Sequence, residues 1–253
     1  MIGRAVAAAR AAAVVVAVVA VVAVVTVVTL RPAIASADPA KDRAALAEFE
    51  AAYRATAALS GPARINQACA DAAKLSAAGS AFSSETPPAD APVDEVIWSR
   101  VAGWLAGALD DLVKVCKAPD RKLPMLGTEV KTVDQVVKAL DDDVQQVLNS
   151  ARPRTLPPAM KAAQAAIAAM LASMRAICTE QPKLMKALAK LARPPAGVPA
   201  AAWKEPYQTV KNIAADLKPG ACGRHRGADE QIGSALSELH DDFYALVLLV
   251  PPR

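Results

Sequence analysis

From residue 38 onward, apolar residues recur at steps of three and four, and Pro or Gly clusters interrupt them. That period predicts a succession of amphipathic helices rather than strands. Asp38-Pro39 reads as a cap followed by a first-turn proline. The first stripe is Leu46, Phe49, Tyr53 and Ala57, ended by Gly61-Pro62. A shorter helix carries Ile65, Cys69, Ala72 and Leu75, and a polar, Pro-rich loop runs from Gly79 to Val93. A third helix follows Asp94, with Ile97, Val101, Trp104, Ala108, Leu112 and Val115 in register, and ends near Cys116. After a loop from Lys117 to Thr128, a fourth stripe is Val133, Val136, Leu140, Val144 and Val147. Thr132 and Gln135 have the spacing of a capping box at its start.

Arg152 to Pro158 is the candidate divider between two halves. Beyond it, Met160, Ala163, Ile167, Met170, Met174 and Ile177 predict one long fifth helix, and Leu184, Leu188 and Leu191 a short sixth. Tyr207, Val210, Ala214 and Leu217 mark a seventh, stopped by Pro219-Gly220, and Ile232, Leu236, Leu239, Phe243 and Leu246 an eighth. The expected fold is therefore all-α, a bundle of about eight helices, some short, over residues 38–253. Trp104 lies on the third stripe and is expected to be buried. Trp203, after a Pro-rich loop, is expected to be more exposed.

The segment before this pattern is different. Arg4 and Arg10 precede an unbroken run of mostly Ala and Val from Ala11 to Leu30, and Arg31-Pro32 breaks it. Ala35-Ser36-Ala37 then supplies small residues at the −3 and −1 positions of a signal-peptidase site. Residues 1–37 are read as a cleaved export leader, which places the protein in the periplasm or outside a bacterial cell. An uncleaved leader would be its only membrane attachment, since the run is long enough to span a bilayer. The leader also changes the charge. It contains Arg4, Arg10 and Arg31 and no acid, so the 29 Lys and Arg residues fall to 26 against 25 acidic ones. A nearly neutral chain gives no argument for a nucleic-acid partner.

All four cysteines, Cys69, Cys116, Cys178 and Cys222, lie beyond the leader. An even count in an exported protein predicts two disulfides, and consecutive pairing, Cys69–Cys116 and Cys178–Cys222, would staple each half separately.

The chain carries no nucleotide-binding glycine loop, nucleophile elbow, H-E-x-x-H or C-x-x-C, and only two histidines. These absences imply no cofactor. Three constellations remain. Met170, Met174 and Cys178 fall on one face of the expected fifth helix, and soft sulfur ligands suit Cu(I), although core packing and disulfide formation compete with that role. His240, beside Glu238, Asp241 and Asp242, has the residue types of a zinc or acid–base site, against the plainer reading of a solvated face. The acidic runs Asp110-Asp111 and Asp141-Asp142-Asp143 read as wet helix faces. Leu109, Leu112, Val115 and Cys116 echo Leu171, Met174, Ile177 and Cys178 in spacing, a pattern that any amphipathic helix ending in Cys produces. The expected function is an exported, soluble binding or interaction protein for another protein or a small hydrophobic ligand. The alternatives are a periplasmic carrier of copper or a hydrophobic ligand in the bundle interior, and a helical enzyme without a linear motif.

Overall fold

Side-chain caps fix the starts of two of the helices. The computed structural model describes residues 39–82, 86–124, 129–222 and 229–253. The expected leader, its cleavage site and the Asp38 cap lie outside them. Eight helices occur among the described residues: α1 (Pro39–Ala57), α2 (Gly61–Phe82), α3 (Glu95–Lys117), α4 (Val133–Ala151), α5 (Pro158–Ala172), α6 (Ile177–Lys190), α7 (Ala200–Cys222) and α8 (Asp229–Leu249). Asp94 caps α3 by accepting from the Ile97 N–H at 3.1 Å. Thr132 and Gln135 form a reciprocal capping box on α4. Each satisfies backbone donors that the first helical turn leaves without partners.

Helices α1 to α4 pack on one another in chain order, and so do α5 to α8. Their buried apolar residues form one continuous cluster. The two expected disulfides are present. Cys69–Cys116 joins α2 to α3, and Cys178–Cys222 joins the start of α6 to the end of α7. Arg154, in the α4–α5 connection, is buried and donates to the Asn149 and Val250 carbonyls, each at 2.7 Å. One guanidinium thus serves carbonyls at the ends of both α4 and α8, where cations are favoured.

Several boundaries differ from the sequence expectation. Gly61-Pro62 opens α2 instead of closing α1: Gly61 takes a positive φ of 55°, and a proline in the first turn leaves no hydrogen bond unmade. α2 continues to Phe82, and α7 runs past Pro219-Gly220 to Cys222. The Lys117–Thr128 loop contains a strand. Lys122–Pro124 (β1) pairs antiparallel with Val130–Thr132 (β2) and leads directly into α4. The long fifth helix is broken at Ser173, which is extended (φ −156°, ψ 115°), and a single 3-10 turn, Met174–Ala176, precedes α6. Cys178 therefore stands at the start of a helix and Cys116 at the end of one, so their echo in sequence marks no repeated unit.

Both tryptophan expectations are reversed. Trp104 is 50% exposed, whereas Trp203 is 1% exposed. The buried arc of α3 is Ile97, Trp98, Val101, Ala102, Leu105, Ala108, Leu109, Leu112 and Val115. At about 100° per residue, Trp104 falls roughly 20° beyond Ile97, the edge of that arc. Trp98 occupies the interior position instead.

Candidate functional site

The face of α3 that turns away from the core carries Val96, Gly103, Trp104 and Gly107, with Val96 and Trp104 among the few large apolar residues left exposed. Gly103 and Gly107 lie beside Trp104 on this face, both toward the groove described next, and a Cβ built at either meets nothing within 4 Å. Internal packing does not require these glycines. Each destabilises the helix by roughly 0.5–1 kcal/mol relative to alanine.

A groove of about 900 Å³ opens beside Trp104, between α3, the β1–β2 ribbon and α4. Its apolar surface comes from Trp104, Ala108, Val130, Val136 and Ala139. Four carboxylates converge on it from three elements: Asp110 and Asp111 of α3, Glu129 before β2, and Asp143 of α4. Lys131 of β2 bonds Asp111 at 2.9 Å, and Lys114 pairs with Asp110 one turn along the same helix. Among the described residues, Glu129 and Asp143 have no cation at ion-pair distance. Burial, and then the neighbouring charge of Asp142, push the Asp143 carboxyl above its ordinary range. The second acidic run is thus split by the fold. Asp110, Asp111 and Asp143 share the groove, while Asp141 turns to the other side of α4, where Tyr53 donates to it at 2.5 Å and Arg64 pairs with it.

On the opposite side of Trp104 lies a smaller groove of about 310 Å³, lined by Arg100, Gln146, Asn149, Asp241 and Tyr244. Behind it is a polar seam between the two helix sets. The His240 Nε2 is 2.6 Å from Asp94 Oδ2, and its Nδ1 is 3.3 Å from Asp241 Oδ1. Arg100 donates to Asp241 at 2.5 Å. Gln164 of α5 donates to the Tyr244 hydroxyl at 2.7 Å and to the Pro92 carbonyl at 3.2 Å. Asp94 therefore caps α3 and holds His240 of α8 at once. The solvated-face reading of His240 does not hold: its side chain is 3% exposed and both ring nitrogens are engaged. A substrate cannot reach this ring while the seam is closed.

Burial alone would lower the His240 pKa, but the hydrogen bond and charge of Asp94, followed by those of Asp241, outweigh it and hold it above the ordinary imidazole value. Burial would raise the Asp94 pKa, and the His240 hydrogen bond together with the Ile97 N–H lowers it instead. The raised imidazole stabilises the fold fully below about pH 6.5, and that contribution is lost as pH rises through the folded-state value. The lowered carboxyl contributes above about pH 4 and is lost as pH falls through its own folded-state value. The seam is accordingly strongest from about pH 4 to 6.5. Asp94 is one-third exposed, so the contribution is on the order of 1–2 kcal/mol. Unfolding midpoints measured from pH 6 to 9 should fall in the wild type and flatten in His240→Gln. An equal slope in both proteins would remove the pair as the cause.

The sulfur constellation is not assembled. Met170 is buried in α5, Met174 lies exposed on the 3-10 turn after the break, and Cys178 is bonded to Cys222. No group of three or more His, Cys, Asp or Glu side chains placed to hold a metal occurs among the described residues. His225 and Arg224, in the polar stretch before α8, lie outside the described residues. The sequence reading missed Trp104 as a surface residue, Asp94 as the partner of His240, and Arg100. Its available signal for the first was Gly103 and Gly107 flanking Trp104 in an otherwise Ala- and Leu-rich helix. Comparison with protein-family models, curated proteins and solved structures finds no match.

Proposed function

We propose that the protein is an exported binding protein whose partner seats on the outer face of α3, against Trp104 and in the acidic groove beside it. The observation that carries this reading is the half-exposed Trp104 standing beside two internally unneeded glycines. A large aromatic in water with bare helix backbone beside it suits the close approach of a second surface, and tryptophan dominates the energetics of such contacts. The surplus of carboxylates in the groove favours a partner segment that presents Lys or Arg beside an apolar side chain. Two disulfides fit an oxidising compartment, in agreement with the leader read from residues 1–37. No described helix is long and apolar enough to cross a membrane.

The glycines supply a test with opposed readouts. Gly103→Ala and Gly107→Ala should each stabilise the fold by up to about 1 kcal/mol. The same substitutions, and Trp104→Ala, should reduce retention of basic–apolar peptides on an array of basic, acidic and neutral segments. Retention unchanged in all three variants, or absent for every peptide with the wild type, would remove this face as the binding site.

A further inference from the structure

A second groove, of about 690 Å³, lies between the start of α5 and the C-terminal half of α6, on residues separate from the α3 face. Its charge is of one sign. Lys183, Lys186, Lys190 and Arg193 line it, and no carboxylate does. Lys183 bonds Glu180 at 2.7 Å, while Lys186, Lys190 and Arg193 pair with no carboxylate among the described residues. The steps of three, four and three residues place the cations in a row along α6 and its exit, over about 15 Å at helical rise. One cation at the end of a helix is explained by its dipole. Four in a row repel one another, and their concentration here contrasts with a chain that is nearly neutral beyond its leader.

The rest of the groove is apolar and stiff. Pro157-Pro158 line it at the start of α5 and Pro194-Pro195 beyond the end of α6, and Ala187 and Leu191 belong to the α6 side. Prolines fix their own φ, so little conformational entropy is lost when a ligand enters. The shape and chemistry select among anions. A concave channel receives a strand better than a flat bilayer. No aromatic residue lines the groove, so bases of a nucleic acid would find no stacking platform. Inorganic polyphosphate would leave the apolar walls unused. A chain of sugar rings, apolar on their faces and anionic at regular intervals, satisfies both parts.

We propose that this groove binds a strand of anionic polysaccharide, with Lys186, Lys190 and Arg193 facing successive carboxylate or sulfate groups and the ring faces lying on the proline walls. The experiment is calorimetric titration with heparin-derived hexasaccharide and with oligogalacturonate. Polyphosphate, a single-stranded DNA oligomer and phosphatidylglycerol–phosphatidylcholine vesicles serve as the competing anions. The Lys186→Gln, Lys190→Gln, Arg193→Gln triple variant is compared with a control triple at exposed lysines elsewhere, Lys138→Gln, Lys204→Gln and Lys211→Gln. All six positions are exposed, and circular dichroism checks that both triples keep the fold. The expected result is glycan binding that weakens steeply with salt, drops on the order of tenfold or more in the groove triple, and is unchanged in the control. Equal loss in both triples would reduce the effect to diffuse charge. Tighter binding of polyphosphate, DNA or vesicles than of either glycan would overturn the ligand class. Absence of binding at low salt would overturn the site.

Discussion

Trp203→Ala is expected to destabilise the protein by ~3–5 kcal/mol, and Trp104→Ala by less than about 0.5 kcal/mol. The difference comes from what each indole touches. Trp203 stands in the first turn of α7, fully enclosed, and stacks on Tyr207 one turn later with ring centroids 6.2 Å apart. Its indole N–H donates to the Leu191 carbonyl at 3.0 Å, and the Tyr207 hydroxyl donates to the Leu188 carbonyl at 3.0 Å. The Leu191 carbonyl stands just past the last turn of α6 and takes the indole as its donor, while the Leu188 carbonyl accepts from the Tyr207 hydroxyl as well as from the Leu191 N–H at 2.8 Å. Removing Trp203 empties a large cavity and strands a buried acceptor in one step. Trp104 has half its surface in water and leaves no cavity when removed. Guanidinium denaturation of the two variants measures the ordering. A midpoint for Trp104→Ala as low as that of Trp203→Ala would mean that the α3 face is covered in the native protein, as in an obligate assembly.

The same pair shows how far the sequence could be read. Stripe periodicity locates elements well because burial of one helix face is the dominant force, and the interior positions it names on α4, α6 and α8, and on α3 apart from Trp104, are buried. Periodicity is weak at the edge of a stripe. There about 20° of rotation separates core from solvent, and Trp104 falls just outside the buried arc while Trp98 lies within it. Trp203 was misjudged because the Pro-rich loop before it outweighed its spacing to Tyr207 and Val210, which extends the α7 stripe back by one turn. The break at Ser173 left no Pro or Gly signal. The site was less legible still. The His240 seam joins residues 146 positions apart, Asp94 and His240, and the groove carboxylates come from three elements. No local pattern encodes such convergence. Gly103 and Gly107 were the one local sign, since they weaken a helix that has no internal use for them.

Removing one disulfide, by Cys69→Ser with Cys116→Ser or by Cys178→Ser with Cys222→Ser, is expected to lower stability by ~4 kcal/mol in the chain-entropy account. The bridges span 47 and 44 residues of separation and their loops do not overlap. Their effects on the unfolded chain should therefore add. Loss of both approaches ~8 kcal/mol, comparable with the whole stability of an ordinary domain, so the fully reduced protein should be largely unfolded at room temperature. The shape of the transition carries separate information. Each bridge staples only its own set of four helices. The two sets share one continuous core cluster and the Asp94–His240, Arg100–Asp241 and Gln164–Pro92 contacts. If that seam couples them, removing one bridge lowers a single transition followed by both far-ultraviolet dichroism and tryptophan fluorescence. Trp98 reports from the first set and Trp203 from the second. Two separated transitions, with only one set displaced by each pair of substitutions, would instead make residues 151–158 a true domain boundary. An unchanged midpoint after loss of either bridge would remove the disulfides as a source of stability.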